Sequence, residues 1–202
     1  MENSEPKAAA EKPRTLARRR QVLQAASCCF RRHGFHATSM AQISAEAGMS
    51  VGHIYRYFAS KEAIIADIVR EDMDEILQEA ASFPKDAADL RGALIERAAE
   101  GVSKALDPDK AALMIEIRAE ASRNPTVQKL VQECDEEIAA ELRIIIAAAI
   151  GRKLAKADLE ARVEMFLVIF QGIGLRTVVN ATIDRRSQSQ LVALAIDAIL
   201  GP

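Results

Sequence analysis

The chain has 202 residues, half of them apolar, and carries 6 Phe, 2 Tyr and no Trp. No uninterrupted apolar run reaches the roughly 18–20 residues of a bilayer span, and the mixed-charge start MENSEPKAAAEKPRT lacks the apolar segment of a secretory signal. The net charge of −2 is unevenly spread: residues 1–61 hold 10 Lys/Arg against 4 Asp/Glu, and residues 62–202 hold 17 against 25, a basic head on an acidic body.

Residues 1–13, with Pro6 and Pro13, are polar and alanine-rich and predict a disordered tail. From Arg14 the pattern is helical. Leu16, Val22, Leu23, Ala26, Cys29 and Phe30 form a core stripe, and Arg18, Arg19, Arg20, Arg31 and Arg32 lie on the charged side. Arg14 and Arg18 to Arg20 suit either a basic arm reaching phosphates or the minor groove, or a solvated helix face. Gly34 is a helix stop. Thr38 and Ser39 offer hydroxyl caps to a short helix whose Met40, Ile43 and Ala47 share one face. Gly48 ends it, and Ser50 caps a second helix expected over residues 51–58, about two turns, with Ile54 and Phe58 turned inward. Two short helices joined by a glycine-containing turn make a helix-turn-helix, whose second helix lies in the DNA major groove.

Ser60 caps a longer helix with Ile64, Ile65, Ile68, Val69, Met73, Ile76 and Leu77 as its stripe, ended by Phe83-Pro84. Further helices are predicted over 86–106, from Asp107-Pro108, from Asn124-Pro125 to Gly151, over 158–182 and over 188–200. Period-two alternation is absent, so no sheet is expected. The reading is an all-α chain of about nine helices: a three-helix DNA-binding domain over 14–61 and a larger helical ligand-binding and dimerisation domain over 62–202. The last two helices are apolar over more than one face. Phe166, Leu167, Ile173, Gly174, Val178, Leu191, Leu194, Ala195 and Ala198 are the expected subunit interface of a two-fold dimer.

Phe30, Gly34-Phe35, Ala37-Thr38-Ser39, Ile43, Ala45, Ala47-Gly48, Ser50, Gly52, Ile54-Tyr55, Tyr57-Phe58 and Ser60-Lys61-Glu62, taken in order, resemble the TetR family of bacterial transcriptional regulators. The resemblance implies a cytoplasmic homodimer that binds a palindromic double-stranded DNA operator, represses nearby genes and is released by a small-molecule effector. It implies phosphate contacts by Thr38, Tyr55, Tyr57 and Lys61, and a groove-facing set of Ser50, Val51, Gly52, His53 and Arg56, with Ser39 beside them. Val51 and His53 depart from the family's frequent residues, which bears on the operator sequence. The chemistry runs the same way. Arg56 is the long side chain able to pair with guanine, and tyrosine hydroxyls and Lys61 suit phosphates. By the same analogy the effector pocket draws on Met114, Ile117, Phe166 and Phe170, with Arg118 or Glu116 as polar contacts. No cofactor and no membrane partner are expected.

Two other classes are weighed. An enzyme would need a phosphate-cradling glycine loop, a nucleophile elbow or an H-E-x-x-H pattern, and the chain has none. A metal- or redox-responsive DNA-binding sensor could use Cys28, Cys29, His33 and His36, since Cys29 and His33 are one helical turn apart. Against it, Cys29 falls on the apolar stripe, where a small buried hydrophobe is expected. The three cysteines match neither a disulfide framework nor a paired zinc spacing, which fits a reducing compartment.

Overall fold

A computed structural model describes residues 13–83, 89–180 and 182–201. Among them are nine helices and no strand: α1 (Pro13–His33), α2 (Met40–Ala47), α3 (Val51–Ile54), α4 (Lys61–Ala81), α5 (Leu90–Ala105), α6 (Pro108–Ala121), α7 (Pro125–Ile150), α8 (Lys156–Val179) and α9 (Arg185–Leu200). None is long and apolar enough to cross a membrane. The chain divides into two compact units, residues 1–64 and 65–202.

In the first unit, α1 supplies Val22, Ala26 and Phe30 to a core closed by Phe35, Ile43, Ile54, Phe58 and Ile64, all 5% exposed or less. Gly34 adopts a positive φ of 76°, which turns the chain back and sets the Phe35 ring 5.3 Å from that of Phe30. Burying side chains of this size contributes about 1.5–3 kcal/mol each, the main reward for ordering so short a set of helices.

In the second unit, Leu94, Ala98 and Val102 of α5 meet Val192, Ile196 and Leu200 of α9 in a core that also takes Ile146, Val163 and Ile173. Arg91 locks the end of this pair: Nε donates to the Asp197 carboxylate at 2.9 Å and Nη2 to the Asp197 carbonyl at 2.9 Å. Local signals mark several boundaries. Asp107 caps α6 with Pro108 in its first turn, Asn124 caps α7 ahead of Pro125, and Gly151 ends α7 at φ 68°.

Several expectations are corrected. Helix α1 already includes Pro13, a residue welcome in a first turn, while residues 1–12 of the expected tail lie outside the described residues. Helix α4 ends at Ala81, with the Phe83 N–H donating to Ala80 O, and Pro84 lies outside the described residues. The expected start at Asp86 also lies outside them; α5 is capped by Asp89, whose side chain accepts from Gly92 N. Helix α8 starts at Lys156 and ends before Asn180, and Ala181, within the expected 158–182 span, lies outside the described residues. Helix α9 begins three residues earlier than expected because Asp184 caps it, accepting from Ser187 N at 2.8 Å. The polar first turn Arg185-Arg186-Ser187 carries no apolar period to announce it.

The outward face of α8 and α9 also differs from the expected one. Ile173 is 6% exposed in the core, and Phe166 and Leu167 pack against that core. Gly174 faces α5, where a Cβ would stand 3.9 Å from the Ala105 carbonyl oxygen. Those four are claimed within the chain, and Ala195 is partly buried. Val178, Leu191, Leu194 and Ala198 are exposed, joined by Met165, Val168, Leu175 and Val179, which the apolar pattern did not separate from the core set.

Candidate functional site

The helix-turn-helix is built from caps. Ser39 opens α2 with a capping box: its hydroxyl accepts from Gln42 N at 3.2 Å, and Gln42 Oε1 accepts from Ser39 N at 2.7 Å. Gly48 closes α2 at φ 60°, a left-handed conformation suited to glycine. The Ser44 hydroxyl donates to the Met49 carbonyl and fixes the turn. Ser50 then opens α3 by accepting from His53 N at 3.3 Å. Regular helix covers only residues 51–54, shorter than the expected 51–58. The chain continues to Phe58 through mixed turns, with Tyr57 N donating to Ile54 O at 2.8 Å and Phe58 N to the same oxygen at 3.0 Å.

Helix α1 braces this assembly. Gln21 Nε2 donates to the Ala47 carbonyl at 2.7 Å, satisfying an orphan acceptor at the end of α2, and Arg18 donates to Gln21 Oε1 at 2.7 Å. Arg19 donates to the Tyr57 carbonyl at 3.2 Å and lies 4.7 Å over the Phe58 ring. Two arginines considered for a basic arm therefore hold the motif together, while Arg20 is exposed.

The expected DNA-facing residues separate into inward and outward sets. Thr38 is 1% exposed, and its hydroxyl lies 2.8 Å from the Gly34 carbonyl oxygen and 3.2 Å from that of Cys29. Lys61 Nζ donates to Phe35 O at 2.7 Å and Thr38 O at 2.6 Å, and sits 4.5 Å over the Phe35 ring. Burial takes the Thr38 side chain out of the phosphate set, while Lys61 is partly buried and engaged by the loop between α1 and α2. Tyr57 is partly buried, its hydroxyl 3.3 Å from His53 Nε2, and the two rings lie 5.4 Å apart. Ser39 and Ser50 are exposed, but their hydroxyls serve as caps. Val51 is partly buried. Gly52, Tyr55 and Arg56 are exposed, and no atom lies within 4 Å of the Cβ that Gly52 lacks.

The second unit holds a cavity of about 1020 Å3, at the upper end of the usual range for small-molecule sites. Met114, Ile117, Arg118, Phe166 and Phe170 all line it, although they come from two helices far apart in sequence; Glu116 does not. The Phe166 and Phe170 rings are 5.0 Å apart. At Gly101 a Cβ would meet Phe170 Cε1 at 3.1 Å, so the glycine makes room for that ring. On the α5 side Arg97, Gly101 and Lys104 also line it, residues that sequence reasoning did not single out, Arg97 and Lys104 because charged helical positions ordinarily belong to solvated faces.

Paired charges line part of the cavity. Lys104 bridges to Glu75 at 3.3 Å and to Glu79, while Lys110 reaches Asp72 at 2.5 Å and Glu75 at 3.2 Å. Partial burial pushes the Glu75 carboxyl up, but Lys110 and Lys104 outweigh it and hold it below its ordinary range. Burial likewise opposes the charge on Lys110, yet Asp72 and Glu75 raise that ammonium above its usual value.

The metal or redox alternative finds no support. Among the described residues no three His, Cys, Asp or Glu side chains come together as a metal site. Cys29 is 4% exposed, and burial pushes its thiol up. Burial also raises the Cys28 thiol, helped by a hydrogen bond to Glu46. Raised thiols hold less thiolate and react more slowly.

Comparison with known proteins adds to this geometry. Residues 22–68 match the model of the bacterial regulatory proteins of the tetR family, and residues 96–201 match that of the BetI-type transcriptional repressor C-terminal region. The HTH-type transcriptional regulator UidR of Escherichia coli K12 is 33% identical over 116 residues, 56% of this chain and 57% of UidR. RutR of the same strain is 36% identical over 74 residues, 37% of this chain and 35% of RutR. The chain thus spans little more than half of the first relative and about a third of the second. Salmonella enterica GusR superposes with a TM-score of 0.77 at 29% identity, covering 96% of this chain and 99% of that one. FadR from Bacillus subtilis, solved in complex with stearoyl-CoA, shares the fold with a TM-score of 0.76 at 22% identity, covering 89% of this chain and 97% of FadR.

Proposed function

The chain belongs to the tetR family of bacterial regulatory proteins, and from that premise we propose that it is a homodimeric repressor. It holds a palindromic DNA operator through the helix-turn-helix and lets go when a small molecule occupies the cavity of the second unit. The observation that carries this reading is the orientation of residues 52–58. Ile54 and Phe58, 0% and 2% exposed, anchor the segment inward, while Gly52, Tyr55 and Arg56 stand outward. Arg56 reads a base edge, His53 assists beside it, and Ser50 and Val51 set the approach. Tyr55, the partly buried Tyr57 and the amides at the start of α2 beside Ser39 position the protein on phosphates.

The dimer reading rests on the exposed apolar stripe. Met165, Val168, Leu175 and Val179 are about half exposed or more, at steps of three, seven and four residues along α8, with Leu191 and Leu194 on α9. Gly172 falls on the same α8 stripe, and no atom lies within 4 Å of its missing Cβ. A glycine inside a helix costs about 1 kcal/mol against alanine, and no contact among the described residues requires it there. Close approach of a partner helix accounts for it. The same fold in FadR holds stearoyl-CoA, which supports a small-molecule occupant for the second unit here. No enzymatic step is assigned, and a cytoplasmic location goes with a DNA partner.

Selection of bound duplexes from a random pool tests the proposal. An enriched inverted repeat, bound with two protomers per site, is the expected result. Enrichment of an asymmetric sequence, or none at all, overturns it.

A further inference from the structure

The charges around the cavity are not equally served. Lys104 and Lys110 are paired with Asp72, Glu75 and Glu79. Arg97, one helical turn before Gly101 and two before Lys104, also lines the cavity and is partly buried. Its guanidinium makes no ion pair or hydrogen bond among the described residues. Arg118 is similarly unpaired but exposed, so water serves it, and the cavity's remaining carboxylates, Glu100 and Asp135, are exposed as well. Arg97 is therefore the cavity's one partly buried and unpartnered charge among the described residues. Withdrawal of a charge from water is costly without a partner, and a guanidinium cannot escape by losing its proton. The planar fork of Arg97 matches an oxyanion in a two-bond pair.

Most of the rest of the wall is apolar, with the Phe166 and Phe170 rings 5.0 Å apart on one side and Met114 and Ile117 on another. We infer that the cavity takes an amphipathic small molecule with an anionic oxygen head. A carboxylate or phosphate pairs with the Arg97 guanidinium, and the apolar body lies against Phe166, Phe170 and Met114. The inference rests on the reading of this cavity as the ligand site and adds the chemical class of its occupant.

Four probes of one chain length test it on the full chain: octanoate, octyl phosphate, octan-1-ol and octylamine, titrated by calorimetry. The two anions are expected to bind at least about tenfold more tightly than the alcohol or the amine, and whichever anion is tighter identifies the head as carboxylate or phosphate. Arg97→Gln should abolish the preference, and Arg152→Gln, at an exposed arginine outside the cavity lining, should leave it. If octanol or octylamine binds as tightly as the anions, or the preference survives Arg97→Gln, the inference falls while the ligand site stands. If none of the four is bound, both fall.

Discussion

The Lys61 ammonium donates to the Thr38 carbonyl oxygen at 2.6 Å, closing the loop between α1 and α2 onto the start of α4. A second bond to Phe35 O, at 2.7 Å, makes this lysine a clamp on carbonyls that no helix satisfies. Lys61→Met should therefore lower the stability of the first unit by about 1–3 kcal/mol, measured by urea unfolding, and leave the salt dependence of DNA binding unchanged. A salt slope reduced by about one at unaltered stability would return Lys61 to the phosphate contacts.

Arg56 is exposed at the end of the outward segment. Arg56→Ala should relax selectivity at a single base pair, costing about 1–3 kcal/mol at that position. Binding to a panel of singly substituted operators reads this directly. An equal loss on every sequence would make Arg56 a backbone contact.

Leu194 is 67% exposed in the middle of α9. If the proposed dimer forms through this face, Leu194→Glu should give a monomer in sedimentation while the circular dichroism of the helices is kept. Gly172→Ala separates two effects, because the added methyl meets nothing among the described residues. It should favour the isolated helix by about 1 kcal/mol yet weaken dimerisation, seen as a rise in the dimer dissociation constant. A variant dimer as tight as the parent would place Gly172 outside the interface.

The Glu75 carboxyl, between Lys110 and Lys104, is held below its ordinary range. Such a group contributes stability that is present above its unfolded value of about 4.3 and disappears as pH falls through the lower folded value. Lys110, held above its ordinary value, contributes across the neutral range and loses that contribution only as pH rises through its raised value. Melting temperatures of the parent and Glu75→Gln should therefore differ at pH 7 and converge as the buffer is taken well below pH 4, a window set by the ordinary carboxyl value. The difference is modest, since the Glu75 side chain is 51% exposed. A difference constant down to pH 2 would remove the ion pairs from its cause.

Much of the helix plan was readable in the chain itself, because capping and turning are local chemistry. Ser39, Gly48, Ser50, Asp107-Pro108, Asn124-Pro125 and Gly151 act through hydrogen bonds and backbone angles spanning a few residues, and each stands where its residue type suggests. The ordered set from Phe30 to Glu62 carried the family for the same reason. Where the local signal was polar, as in the Asp184 cap and the first turn of α9, periodicity alone began the helix too late.

Tertiary structure decided which way each side chain points and what it meets. Thr38 and Lys61 have the chemistry of phosphate contacts, yet both are spent on carbonyl oxygens brought near by the return of the chain at Gly34. Ile173 and Leu194 are equally apolar, but one is buried in the core and the other is bare. Met114, Phe170 and Arg97 line one cavity only because helices distant in sequence pack around it. Spacing along one helix records its own faces; which face meets the core, a ligand or a partner depends on the other helices, and no single segment encodes that.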